Sequence, residues 1–94
     1  MKLKILGQLV DVRRVDAPLV GSPCGHFHAA KNEILINSSI VKELQETTLI
    51  HEIIEALNYH LELNLEHNKI TSLESGLYQV LKDNKLLNLE KYIK

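Results

Sequence analysis

The stretch Leu49-Ile50-His51-Glu52-Ile53-Ile54-Glu55-Ala56-Leu57-Asn58 lies at the centre of the longest segment of this chain with helical periodicity. The apolar side chains that recur at helical spacing and gather in one stripe are Ile50, Ile53, Ile54, Leu57 and Leu61. No Gly or Pro interrupts this segment before about Leu63. We therefore predict a helix from Ile40 to about Leu63, roughly six turns long at 3.6 residues per turn.

This helix carries the pattern His-Glu-x-x-Glu at His51, Glu52 and Glu55. Residues four apart lie on the same face of a helix, so His51 and Glu55 can bind one metal ion from the same side. Glu52 is then left free to act as a base. The pattern predicts a metal-assisted hydrolysis site beside the apolar stripe, and it names no substrate.

A second helix is predicted from about Lys69 to Lys82, after the weakly helical stretch 64–68. Its apolar face consists of Ile70, Leu73, Leu77, Val80 and Leu81. Glu74 lies on this inward side, where a carboxylate requires a partner. The connection between the helices is short, which predicts that they pack as an antiparallel hairpin.

If the two helices run antiparallel from a turn centred near Leu65, residues equally distant from Leu65 in sequence lie side by side, at the same level along the hairpin. Glu74 comes level with Glu55, and Tyr78 with His51 or Glu52. His67 is expected at the closed end of the hairpin, roughly two to three turns from His51. Tyr78 is therefore a second candidate catalytic residue beside Glu52, and Glu74 is better placed than His67 to join the metal site.

The amino-terminal half of the chain has the patterns of strands and turns. Lys2 to Val15 alternates in part and is interrupted by Gly7, which predicts a strand or a short hairpin. The segment from Ala17 to Gly25 contains both prolines and is predicted to be a loop. Residues 25–30 and 33–37 are predicted to form two short strands joined by a tight turn. A short final helix is expected in the segment from Leu86 to Ile93.

His26, His28 and Cys24 form a second, weaker candidate group. Histidines at i and i+2 of a strand point to one side and can bind a metal ion. A pair on the solvated face of an edge strand needs no such role, and a single free cysteine is commonly a small, partly buried apolar residue. Both interpretations remain open for these three residues.

The length and amino-acid composition of the chain limit its possible functions. A chain of 94 residues with 45% apolar content forms one domain with a single core. A net charge of −1 gives no basic footprint for nucleic acid or for an anionic membrane surface. The chain has one cysteine and no apolar run long enough to span a bilayer, and charged residues interrupt its amino-terminal apolar stretch, namely Asp11, Arg13 and Arg14. We expect a cytoplasmic protein whose partner is a peptide or a protein; the oligomeric state is left open.

These elements predict an α+β fold, in which a short antiparallel β-sheet packs on the long helix and on the antiparallel helix that follows. Residues 33–37, 49–58 and 77–84 together resemble small single-domain zincin-like metallopeptidase proteins of phages and prophages. The resemblance covers roughly residues 24 to 84. It implies a minimal zincin-like domain spanning residues 1–94.

In zincins two His of His-Glu-x-x-His bind zinc and the Glu activates a water molecule. In the Glu-zincin branch the third ligand is a carboxylate on a following helix. The resemblance thus implies that His51 is the first ligand, that Glu52 is the general base and that Glu74 is the third ligand.

The chain departs from this family pattern at Glu55, which stands where the second His is expected. A carboxylate also binds zinc, but a site of His51, Glu55 and Glu74 would leave bound water less acidic, and its oxygen ligands widen the choice to manganese or iron. His67 in place of Glu74 would restore two His and one carboxylate. Two functions stay open: a metal-dependent hydrolase, or an inactive zincin-fold module that binds a host or phage protein.

Overall fold

The computed structural model of the protein describes residues 1–16, 23–86 and 88–93. Its strands are β1 (Lys2–Ile5), β2 (Gln8–Val15), β3 (Gly25–His28) and β4 (Glu33–Asn37). Its helices are α1 (Lys42–Leu61), α2 (His67–Asp83) and the short α3 (Glu90–Ile93). The α+β class is confirmed. Most of the loop predicted from Ala17 to Gly25 lies outside the described residues, because that description omits 17–22.

The four strands form one sheet in the order β1-β2-β4-β3. The outer pairs, β1 with β2 and β3 with β4, are antiparallel, whereas the central pair β2 and β4 is parallel. The prediction of an antiparallel sheet is therefore wrong for the central pair. The chain reaches the far position of β3 before it returns, through the 3₁₀ turn Ala29–Lys31, as β4 between β3 and β2.

The β1–β2 connection is a two-residue hairpin turn, which confirms the hairpin interpretation of Lys2 to Val15. Leu6 and Gly7 have φ angles of 50° and 81°. Tight hairpins need positive φ at both central residues to match the twist of the strands, and Gly adopts that conformation without steric cost.

Strand β4 lies at the centre of the core, with all five of its residues buried. A strand covered on both sides carries a continuous apolar run, as Ile34-Leu35-Ile36 does. The helical part of the core comes mainly from α1 and consists of Leu49, Ile50, Ile54 and Ala56, joined by Ile70 and Leu89. The predicted stripe of α1 is thus confirmed in part: Ile50 and Ile54 are buried and Ile53 and Leu57 partly buried, whereas Leu61 is 51% exposed.

Gly25 allows α1 to pack closely against β3. A Cβ atom at this position would overlap Cγ2 of Thr48 and would lie 2.8 Å from the carbonyl oxygen of Leu35. Since Leu35 contributes a backbone atom in the central strand, the neighbours cannot simply move aside. The missing side chain at Gly25 therefore sets the distance between β3 and the helix that carries His51 and Glu52.

We predict that Gly25→Ala lowers the free energy of unfolding by about 1 to 3 kcal/mol, the usual cost of overpacking. Gly76→Ala is the matched control, because a Cβ atom there has nothing within 4 Å. Gly76 lies inside α2, so this control should be stabilised by up to about 1 kcal/mol through helix propensity. Urea unfolding of both variants measures the difference. Equal stability of the Gly25 variant and the wild type would contradict the close packing described here.

Helices α1 and α2 form the predicted antiparallel hairpin, but their register differs from the predicted one. The connection 62–66 folds back along the last turn of α1, where Leu65 is hydrogen-bonded to the side chain of Asn58. Glu62 and Asn64, with φ angles of 51° and 58°, turn the chain back without a glycine. This fold-back shifts α2 along α1 by about one helical turn relative to the prediction.

The predicted apolar face of α2 is only partly buried. Ile70 is 1% exposed, whereas the exposed fractions of Leu73, Leu77 and Val80 are 45%, 43% and 44%. The side of α2 that meets α1 carries Glu74 and Tyr78, in line with the buried Ile70, while Leu73, Leu77 and Val80 remain partly exposed. Within the described residues, no helix combines the length and the apolar character needed to cross a membrane.

Candidate metal and catalytic site

Helix α1 places His51 and Glu55 on one face, as the i, i+4 spacing predicts. Nε2 of His51 lies 3.4 Å from Oε2 of Glu55. The His51 side chain is 14% exposed and that of Glu55 is 32% exposed, so both lie at the border between core and solvent. This geometry agrees with the predicted position of the pair beside the apolar stripe.

Glu74 has the partner that its inward position requires, and that partner is His51. Nδ1 of His51 lies 2.8 Å from Oε1 of Glu74. Because an ionised carboxylate only accepts hydrogen bonds, Nδ1 is the nitrogen that donates. The prediction that Glu74 is level with Glu55 is wrong by about one helical turn, because the connection folds back beside Asn58. Glu74 therefore orients the His51 ring and directs Nε2 toward Glu55.

His67 lies close to His51 and Glu55 instead of two to three turns away. Its Nδ1 is 3.9 Å from Oε2 of Glu55, and the centroids of the His67 and His51 rings are 5.1 Å apart. The predicted separation is wrong because Leu65 folds back beside Asn58 and so brings the first residue of α2 to the level of Glu55. The His67 side chain is 77% exposed.

His51, Glu55 and His67 fit the requirements of a metal site. One ligand atom from each of the three lies within 4.8 Å of the others. Ligand atoms of a tetrahedral zinc ion are about 3.3 Å apart when the bonds are about 2.0 Å long. The pair formed by His51 and Glu55 already has this spacing, and His67 would have to move only slightly. Two imidazoles and one carboxylate are a donor set that zinc accepts.

Glu52 is the most deeply placed ionisable group of the site, at 7% exposure. The pKa of its carboxyl is raised to about 7, mainly by burial and to a smaller extent by the charges of Glu55 and Glu74. The charge of His51 and a hydrogen bond from the backbone of Phe27 oppose this shift. A carboxyl with a pKa near neutral can both accept and return a proton.

We predict a pH-dependent stability difference between the metal-free wild type and Glu52→Gln. The Glu52 carboxyl binds its proton up to about pH 7 in the folded chain but only to about 4.5, its ordinary value, when unfolded. The free energy of unfolding of the wild type should therefore fall, relative to the variant, as pH rises from 4.5 to 7. The expected change is about 3 kcal/mol.

Urea unfolding in the presence of a chelator, at pH values from 4 to 8, measures this difference. Glu43→Gln is the control, because Glu43 is exposed on the same helix. The difference between the wild type and this control should stay nearly constant over the same range. A constant difference for Glu52→Gln as well would show that Glu52 is not destabilised by burial.

A pocket of about 340 Å³ opens over the site. His51, Glu52, His67 and Glu74 contribute to its wall. The remaining wall is mainly uncharged and consists of Pro23, Cys24, Gly25, Leu44, Thr47, Thr48 and Thr71. The candidate base and two of the three residues that fit one metal ion, His51 and His67, thus line one cavity that is large enough for a side chain or a short peptide segment.

Tyr78 is occupied elsewhere and is not among the residues of this pocket. Its hydroxyl donates to Oε1 of Glu46 over 2.8 Å, and Lys82 donates to the same oxygen over 2.8 Å. Burial and the hydrogen bond to Glu46 raise the pKa of Tyr78. The prediction that Tyr78 is level with His51 or Glu52 is wrong, again because of the shift of α2. Tyr78 and Lys82 compensate Glu46, which is 1% exposed.

The second candidate group, Cys24, His26 and His28, does not join the first group as ligands of one ion. Nδ1 of His28 accepts the backbone N–H of Lys31 and so caps the 3₁₀ turn. His26 is exposed and lies beside His28, with 5.8 Å between their ring centroids. Cys24 lines the pocket over the site, although the group that approaches closely enough for one ion contains His51, Glu55 and His67 instead.

Two contributors were missed by the sequence analysis. Asn58 binds the backbone of Leu65, and Glu46 ties α1 to α2 through Tyr78 and Lys82. The sequence contains one signal for Asn58, a polar side chain on the face of α1 that also carries His51 and Glu55. The signal for Glu46 is its position three residues before the buried Leu49, on the side that faces the core.

Comparisons of this chain with protein-family models, with curated proteins and with solved structures give no match. The resemblance to zincin-like proteins accordingly stays a prediction. The geometry of His51, Glu52, Glu55 and His67 is the basis for the function proposed next.

Proposed function

We propose that this protein is a metal-dependent hydrolase of the zincin-like type, in which His51, Glu55 and His67 bind a divalent ion and Glu52 is the general base. The observation that carries the proposal is the convergence of two imidazoles and a carboxylate from two helices beside a buried Glu52. Zinc is the ion that best matches two nitrogen ligands and one oxygen ligand, with manganese or iron as alternatives.

In this proposal Glu74 is a partner of His51 and not a metal ligand. A histidine that binds a metal commonly donates its second N–H to a carboxylate, which fixes the ring and strengthens the ligand. The 2.8 Å contact between His51 Nδ1 and Glu74 supports this role. It also explains why a carboxylate is placed on the inward side of α2 without binding the ion directly.

A bound divalent ion would supply a Lewis acid that polarises a carbonyl group and makes a water molecule more acidic. Glu52 would take a proton from that water and deliver it to the leaving amine. A pKa of about 7 suits both transfers, because the group accepts and releases protons at neutral pH. The low exposure of Glu52 keeps bulk water away from the transferred proton.

A peptide is the substrate class that the surroundings support. Strand β3 is the outer strand of the sheet beside α1, and its residue Gly25 lines the same pocket as His51 and Glu52. An extended peptide can add to an outer strand through main-chain hydrogen bonds. Such a peptide would bring one of its carbonyl groups to the pocket. We place this activity in the cytoplasm, in agreement with a single, unpaired cysteine.

The ligand assignment predicts opposite behaviour for two residues of α2. His67→Gln should lose stoichiometric zinc binding, since a ligand is removed. Glu74→Gln should still bind one zinc ion, with an affinity lowered about 10- to 100-fold, because only the support of His51 is weakened. Calorimetric zinc titration measures both, and His26→Gln is the control. Retained affinity in His67→Gln together with lost binding in Glu74→Gln would make Glu74 the third ligand.

The catalytic assignment predicts that Glu52→Gln keeps the zinc but loses at least about 100-fold in turnover, the usual contribution of a general base. The measurement is cleavage of a mixed fluorogenic peptide library by the zinc-loaded proteins, with Glu43→Gln as the control. Equal cleavage by the Glu52 variant and the wild type would exclude Glu52 as the base. Zinc binding without cleavage by the wild type would favour the alternative, a zincin-like module that binds another protein.

A further inference from the structure

Asn58 makes four hydrogen bonds to the connection between α1 and α2. Its Oδ1 accepts the backbone N–H of Leu65 over 2.9 Å, and its Nδ2 donates to the carbonyl of Leu65 over 3.3 Å. The main-chain carbonyl of Asn58 accepts the N–H groups of Glu62 and Leu63. One residue in the last turn of α1 thus holds both the start and the end of the fold-back.

Near His67, the other contacts of this connection are the packing of the partly buried Leu65 side chain against the core and the approach of His67 to Glu55. Glu66 precedes α2 without a side-chain hydrogen bond that caps the helix, and the His67 side chain is 77% exposed. Glu62 and Asn64 adopt the left-handed conformation, which is strained for Glu62, whereas Asn is one of the residues that tolerate it. The hydrogen bonds of Asn58 therefore offset the backbone strain at Glu62 and hold the backbone of Leu65 at the level of Asn58.

We infer that Asn58 is the positioning residue for the third ligand of the proposed metal site. The consequence of this inference for metal binding rests on the proposed function. The placement of His67 by Asn58 does not. By binding Leu65, Asn58 brings His67, two residues further on, to the level of Glu55. Since coupling between two events is reciprocal, a metal ion bound by His67 would in turn stabilise the connection 62–66.

The structural part is tested in the metal-free protein by the nuclear Overhauser effect between the rings of His51 and His67. Asn58→Ala should weaken this signal strongly, because only the apolar packing of the Leu65 side chain then holds the connection in place. Asn58→Asp, which keeps the acceptor for the Leu65 N–H, should retain most of it. Asn68→Ala is the control, because Asn68 is exposed and adjacent to His67. An unchanged signal in a folded Asn58→Ala variant would overturn the inference.

The functional part is tested by zinc titration in a double-mutant cycle. Asn58→Ala should lower zinc affinity about tenfold in the wild-type background, in the range known for residues that support metal ligands. In a His67→Ala background only the weaker zinc binding by His51 and Glu55 is left to titrate, and the same substitution should not change it, because the ligand that Asn58 positions is absent. Equal losses in both backgrounds would show that Asn58 acts through general stability and not through His67.

These two tests separate the inference from the proposed function. A wild type that binds no zinc would exclude the metal site, while the contact between the two rings would still report whether Asn58 places His67. A wild type that binds zinc, with an Asn58→Ala variant that keeps both the ring contact and the affinity, would exclude the positioning role alone.

Discussion

The hydrogen bond between Glu74 and His51 is the interaction on which the helical hairpin and its site depend. A carboxylate on the inward side of a helix is costly unless it is paired. Glu74, with its side chain 19% exposed, is paired with His51 over 2.8 Å. The bond joins α1 to α2 at mid-length and fixes the ring of His51. Glu46 and Asn58 fix the two ends of the same hairpin through Tyr78 and Leu65.

Helical periodicity and the inward position of Glu74 could be read from the sequence, but the register of the hairpin could not. The apolar stripe predicts α1 to within two residues at each end, and the need of Glu74 for a partner is predicted correctly. The identity of that partner depends on how the connection folds. The predicted register assumes that the connection is a simple arc between the two helices. In the structure Asn58 binds Leu65, and the connection folds back along α1. No glycine signals this turn, because Glu62 and Asn64 adopt the left-handed conformation instead.

Local sequence patterns also could not predict the order of the strands or the burial of Glu52. Alternation identifies strands, but it does not state that β4 enters between β2 and β3, which makes the central pair parallel. A helical wheel places Glu52 away from the apolar stripe. It is buried nevertheless, because Gly25 has no side chain and allows β3 to approach α1. Such burial arises from tertiary packing, which the hydrophobic periodicity of a single helix does not specify.

The proposed site gathers the carboxylates Glu52, Glu55 and Glu74 around one histidine, an arrangement that a divalent cation would stabilise. The most direct test of this account is X-ray absorption at the zinc edge, on protein purified without an affinity tag and loaded with one equivalent of zinc. The account predicts one tightly bound zinc ion with only nitrogen and oxygen ligands, two of them imidazoles, from His51 and His67. A single imidazole, a sulfur ligand from Cys24, or zinc that is removed by simple dialysis would contradict it.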